Sequence, residues 1–267
     1  MDENWPNGAI PLIEPQPSHR AFVNAVIPDH ALVKITTARQ LLKRGETAAS
    51  WFPAGTDVIT TSTVADRKLA QISWEDELEV IRRFEGNFHV PTDYSTYERQ
   101  NAADRRANVE RNLEGTFWMT RKIETLDLDI GVIPLIKGCT AAEWAIGFET
   151  LDRCPFEYSM TAFFATQYFT GGAGIRINEL VEDVRTIAAR QPRPVMLIGL
   201  LSAHYLKRMP RTVRAATGLN QWRDPISPEA QTHETMRGIW ADVSDGVREA
   251  LDVSAGDRYA VDAKEVA

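Results

Sequence analysis

Three charged residues stand where an apolar run ends, and each can do chemistry there. Asp93 closes Asn87-Phe88-His89-Val90-Pro91-Thr92-Asp93-Tyr94, Lys137 closes Pro134-Leu135-Ile136-Lys137-Gly138, and Asp224 follows Gly218-Leu219-Asn220-Gln221-Trp222-Arg223. A carboxylate can accept hydrogen bonds from a heterocycle or move a proton, and a positioned one can attack an electrophilic carbon. Asp93 after Pro-Thr also suits a turn cap, so both readings stand. Behind Lys137, Thr140 and Glu143 have the spacing of a capping box, which leaves Lys137 itself unexplained. It can form a Schiff base with a carbonyl substrate, hold a phosphate, or be an ordinary surface lysine. Gly138 allows a ligand close to the backbone, and Asn220 and Gln221 place two amides beside Asp224.

Other segments have two readings each. Gly171-Gly172-Ala173-Gly174 lies before a helical pattern and makes either a nest of backbone N–H groups for an anion or carbonyl, or a tight strand-to-helix turn. Phe163, Phe164, Tyr168 and Phe169 ahead of it can face a flat ring or fill the core. Lys207, Arg208, Arg211 and Arg214 fall with no acid between His204 and Trp222, and Arg223 continues the series. Such a strip is a solvated helix face or a set of phosphate contacts. His204 is a candidate acid or base, or a cap.

The elements that must position these residues alternate. Apolar runs suggest strands at 21–27, 31–35, 57–61, 88–90, 130–137, 158–164, 195–200 and 219–222. Amphipathic stretches suggest helices at 37–44, 74–84, 98–118, 141–151, 176–190, 204–216 and 228–251. Near-continuous apolar strands such as Val195-Met196-Leu197-Ile198 need both faces covered, as parallel strands between helices have. About eight such units favour a (β/α)8 TIM-type barrel, with an open doubly wound sheet as the alternative; no Gly-x-Gly-x-x-Gly or phosphate-loop motif supports the latter. The sequence predicts an extended, proline-rich N-terminal arm over 1–19, one barrel domain over 20–255 and a flexible tail over 256–267.

Composition narrows the classes. The 267 residues are 43% hydrophobic and 25% charged, as in ordinary globular chains, which excludes disorder as the main state. No apolar run is long enough to span a membrane and no signal-peptide pattern opens the chain, so a cytoplasmic protein with no membrane partner is expected. A net charge of −7 argues against nonspecific coating of nucleic acid but leaves room for a local basic strip. Cys139 and Cys154 match no metal-ligand pair, and neither a metal nor a cofactor is expected.

Taken in order, these segments resemble the tRNA-guanine transglycosylase superfamily of barrels. The resemblance covers about residues 88 to 224: an apolar strand ending in Asp93; Leu135-Ile136-Lys137-Gly138 where the family has a strand ending near Gln-Gly; Gly171-Gly172 before a helix; Pro192-Arg193-Pro194-Val195-Met196-Leu197-Ile198-Gly199 for Pro-Arg-Tyr-Leu-Met-Gly; and Gly218 to Asp224 for Gly-Ile-Asp-Met-Phe-Asp. It implies exchange of guanine in a nucleic acid for a 7-deazaguanine base. Asp93 would accept hydrogen bonds from the purine, Lys137, Gly138, Gly171, Gly172, Asn220 and Gln221 would frame it, and an aspartate near the last strand would attack the sugar. Arg223 occupies that aspartate's place, with Asp224 next to it. The family's Asp-Ser-Gly-Gly is absent, Ile59-Thr60-Thr61-Ser62-Thr63 being the nearest run, and so is its zinc cluster. Shortened relatives that modify DNA, encoded among DNA-modification systems with their partner proteins, are therefore the closer fit, and DNA is favoured over tRNA. The alternatives are a lyase or aldolase acting on a small anionic substrate through Lys137, and a non-catalytic barrel that binds nucleic acid or a partner.

Overall fold

Short parallel strands set the frame: β1 (Gly8–Ile13), β2 (His30–Lys34), β3 (Asp57–Thr61), β4 (Phe88–Val90), β5 (Gly131–Val132), β6 (Leu135–Ile136), β7 (Thr161–Phe164), β8 (Val195–Ile198) and β9 (Val213–Gly218). They come from a computed structural model that describes residues 5–169, 175–191, 193–225 and 232–252. The sheet order is β5-β4-β3-β2-β1-β9-β8-β7-β6. Its two end strands are separated in the chain by Ile133 and Pro134 alone. Ile133 N donates to His89 O at 2.9 Å on one side, and Ala162 N donates to Pro134 O at 2.8 Å on the other. β5 and β6 are thus halves of one stave, and the sheet closes as a (β/α)8 barrel.

Side chains alternate across each strand, so residues two apart share a face. Ile10, Leu32, Ile59, Phe88, Val90, Ile133, Leu135, Ala162, Met196, Ile198 and Ala215 fill the barrel interior. Val33, Val58, Phe163, Leu197 and Ala216 point the other way, into a larger core under the helices. Those helices are α1 (Pro17–Val26), α2 (Ile35–Leu42), α3 (Ala48–Trp51), α4 (Asp66–Leu69), α5 (Trp74–Phe84), α6 (Ala102–Thr125), α7 (Ala141–Leu151), α8 (Ile177–Arg190), α9 (Ala203–Leu206), α10 (Asn220–Arg223) and α11 (His233–Asp252). Ser73 and Asp76 form a reciprocal capping box at the start of α5, and Asn101 and Thr140 cap α6 and α7. Among the described residues no helix is long and apolar enough to cross a membrane, and no group of three or more potential ligands could hold a metal ion.

Four sequence expectations are corrected. Residues 8–13 are no surface arm: β1 pairs with β2 and β9. Full burial of Ile10 and Ile13 outweighs the ladder bond that Pro11 cannot donate, and Pro17 opens α1 instead of breaking the chain. Residues 21–27 are helical, because His19, Phe22 and Val23 lie at spacings of three and four and are all buried. The stretch 204–216 is not one helix; α9 stops before Pro210, and Val213 begins β9. Ala215, Ala216 and Gly218 are small because the strand packs tightly, and alanine also suits a helix. The segment 219–222, read as the last strand, is the N-cap and first three residues of α10. The expected C-terminal tail, 256–267, lies outside the described residues.

Candidate active site

The strand periodicity that fills the barrel also builds its mouth. Lys34, Thr61, Lys137, Phe164 and Thr217 each stand two residues beyond an inward residue, namely Leu32, Ile59, Leu135, Ala162 and Ala215, so they face the lumen at its carboxyl end. With the following loops they enclose a pocket of about 690 Å³. That is the end where barrels of this type assemble sites from strand-end residues. Its floor is apolar (Leu12, Leu32, Ile198), and Phe164, Phe169, Leu200 and Tyr205 contribute flat or aliphatic wall. Gly199 has φ +95° and carries the chain past Thr166; a Cβ there would lie 1.8 Å from Thr166 Oγ1, so only glycine fits.

The two residues with the clearest chemical signal meet here. Lys137 Nζ lies 2.6 Å from Asp93 Oδ1, each side chain only 8% exposed. The contact is an ion pair without well-angled hydrogen-bond geometry, so Oδ1 accepts no regular hydrogen bond and the carboxylate keeps acceptor capacity for a ligand. Asp66, at the start of α4, is the second carboxylate lining the pocket. It is exposed toward the rim, and its Oδ1 accepts from Ser95 Oγ at 2.5 Å and Tyr97 Oη at 3.0 Å. Burial, followed by the Asp66 interactions, raises the Tyr97 phenol above its ordinary value, so it stays a donor.

Gly138 serves the loop and does not line the pocket. Its φ is +128°, and its N–H donates to Thr96 Oγ1 at 3.2 Å. Thr140 Oγ1 accepts from Glu143 N as the capping box requires, but the Glu143 carboxylate passes the cap, taking Cys139 N–H at 2.7 Å and Arg105 at 2.9 Å. Burial, with the Glu143 charge adding to it, pushes the Cys139 thiol up to about 11. Asn220 and Gln221 line the pocket as expected, and so do Phe164 and Phe169. Phe163 instead packs against Trp144, and Tyr168 is buried against α8, bonded to Asp183. Gly171 and Gly172 lie outside the described residues.

Asp224 does not enter the pocket. It is an exposed residue at the end of α10, paired with Arg223 at 2.8 Å, and Arg223 also donates to Asn220 Oδ1. A helical turn after β9 carries both side chains away from the lumen, where an extended strand would have brought one inward. The basic strip is also displaced. Lys207, Arg208 and Arg211 lie on the descent from α9 to β9 and line no part of the mouth, with Arg208 donating to Asn178. Arg214, the second residue of β9, lines a separate hollow with Gly8 and Asp29 at the amino end of the barrel. None of these cations, nor Arg223, lines the pocket, so the strip does not frame it.

Sequence reasoning missed Lys34 and Asp66. Lys34 ends an apolar strand as Lys137 does, and that signal was available. Asp66 stands three residues beyond Thr63, at a loop position that strand periodicity does not reach. The fold and the mouth define a (β/α)8 barrel with a charged, strand-end pocket. The chain matches no protein-family model and no curated protein sequence.

Proposed function

We propose that the mouth is the active site of a base-exchanging glycosyltransferase that takes a guanine-like heterocycle from a nucleoside unit and replaces it with a 7-deazaguanine. The observation that carries this reading is the buried Asp93–Lys137 pair lining an apolar-walled pocket. A carbonyl next to a ring N–H, the edge a guanine presents, complements an ammonium donor next to a carboxylate acceptor. Phe164 and Phe169 supply surface for the ring, and Asn220 and Gln221 supply further hydrogen bonds.

The difference in burial favours Asp66 as the second carboxylate. With the base held by the buried Asp93 and Lys137, the sugar would lie toward solvent, where Asp66 is exposed. In this reading an Asp66 oxygen attacks the anomeric carbon, the glycosidic C–N bond breaks, and its electron pair leaves on the purine nitrogen. That nitrogen or the conjugated ring takes up a proton as the base departs. The incoming base then attacks the same carbon through its nitrogen, loses a proton and releases the carboxylate. Asp66 thereby replaces Asp224 as nucleophile. Arg67 and Lys68 are exposed on α4 beside Asp66. They suit phosphates flanking a flipped-out nucleotide, the role expected of the displaced basic strip. DNA remains the favoured polymer on the resemblance described above.

The test is exchange of labelled guanine into guanine-containing duplex DNA and into tRNA, comparing the unaltered chain with Asp66→Asn and Asp93→Asn. Exchange by the former and at least about a hundredfold loss in each variant is expected. Absence of exchange on both polymers overturns the reading. A Schiff-base lyase is the second reading, and it is favoured by one observation: Lys137 points into the pocket, not into solvent. Borohydride trapping of a 2-keto acid on Lys137 would establish it in place of the first.

A further inference from the structure

A buried carboxylate outside the pocket is bonded to the segment that carries Asp93. Glu77, on α5, is 2% exposed, and its Oε1 accepts three hydrogen bonds: from Ser62 Oγ at 2.5 Å, from His89 Nε2 at 2.8 Å and from Thr92 N–H at 2.9 Å. These donors come from the end of β3, from β4 and from the loop that follows β4. His89, fully buried, turns its Nδ1 to Thr60 Oγ1 at 2.8 Å, so the imidazole bridges the carboxylate to the neighbouring strand. The network lies on the outer face of the barrel wall and lines no part of the pocket.

Its mechanical consequence falls on Thr92, the residue before Asp93. Thr92 has φ +39°, a left-handed backbone that a β-branched residue seldom adopts unless its surroundings impose it. Three contacts impose it. Glu77 holds the N–H, Asn112 O accepts from Thr92 Oγ1 at 3.1 Å, and Gly115 of α6 leaves room for the methyl, since a Cβ there would stand 2.5 Å from Thr92 Cγ2. Turned in this way, the chain delivers the next side chain into the mouth beside Lys137.

We propose that Glu77 is a positioning residue, which through the Thr92 backbone holds Asp93 against Lys137 and hence against the base. The inference rests on Asp93 being the working carboxylate of the site. Glu77→Ala should lower labelled-guanine exchange about a hundredfold, the effect of roughly an ångström of misplacement, while Glu77→Gln, which keeps an acceptor at Oε1, retains most of it. Glu77→Ala/Thr92→Gly should recover about tenfold over Glu77→Ala, because glycine takes the left-handed backbone without being held there. A purely structural role for Glu77 gives no such recovery. Should Glu77→Ala not fold, the same comparison is made with Glu77→Leu and Glu77→Leu/Thr92→Gly.

A second readout is independent of exchange. Acetylation of Lys137 by acetic anhydride, followed by mass spectrometry, should accelerate about tenfold in Asp93→Asn and by a similar factor in Glu77→Ala, since the side chain is then no longer held in its ion pair. Faster labelling in Asp93→Asn with wild-type labelling in Glu77→Ala, or loss of exchange in Glu77→Ala without recovery by Thr92→Gly, overturns the role of Glu77. If the unaltered chain exchanges no base, the reading of the site fails, and the acetylation pattern alone decides whether Glu77 positions Asp93.

Discussion

Breaking the Asp93–Lys137 pair from one side should cost more than removing it altogether. At 2.6 Å, and with an effective dielectric constant of about 20, the charges attract by roughly 6 kcal/mol. Most of that is returned as the desolvation each charge suffers at 8% exposure. Removing one partner of a fully buried pair costs about 3–5 kcal/mol, and because this pair borders a pocket that water enters, about 2–3 kcal/mol is expected for Lys137→Met. In a chain of this length that is a fall of roughly 5 °C in melting temperature. Lys137→Met/Asp93→Leu leaves no orphaned charge and should return to within about 1 kcal/mol of the starting protein. Urea denaturation of both singles and the double gives the coupling energy directly. If the two single costs simply add in the double variant, the pair is not coupled and the reasoning from burial fails.

Asp224→Ala should change stability by less than about 0.5 kcal/mol and leave the pocket's ligand binding unaltered, because its ion pair with Arg223 is exposed; a large loss of activity would show that α10 rearranges on binding. Lys207→Ala/Arg208→Ala should leave the salt dependence of DNA binding unchanged, measured by fluorescence anisotropy, whereas Arg67→Ala/Lys68→Ala should lower the slope by about two phosphate contacts. Cys139 should alkylate slowly at neutral pH, its rate rising toward about pH 11, because burial and the Glu143 charge oppose the thiolate. The same shift has a sign in stability: the unfolded thiol releases its proton first, so folded-state stability falls as pH rises from about 9 toward 11, and Cys139→Ser should flatten that limb. Gly115→Ala should destabilise by about 1–3 kcal/mol despite alanine's better helix propensity, since its methyl would stand 2.5 Å from Thr92 Cγ2; a neutral result would mean α6 can move away from Thr92.

Much of the frame was legible in the residues because burial leaves a periodic mark. β3, β4, α5 and α7 fall within the bounds their apolar spacing predicts, and Lys137 stood out as a charge that no cap explained. What misled was local ambiguity. Pro11 and Pro17 look like breakers until a barrel needs a strand at one and a helix start at the other. Alanine-rich β9 satisfies helix propensity as well as strand packing. The last of these passed to the site, since reading β9 six residues too late made Asp224 a strand-end residue. Which side chains alternate into the lumen is written along the chain, because that depends only on a two-residue period and on hydrophobicity. Which carboxylates face the pocket is set by the folded arrangement. Asp66 and Asp93 reach it from a helix start and a strand-end loop, with Glu77 bonded behind the wall, and a side chain's direction at a loop or helix end follows from contacts far away in the chain, which no local pattern encodes.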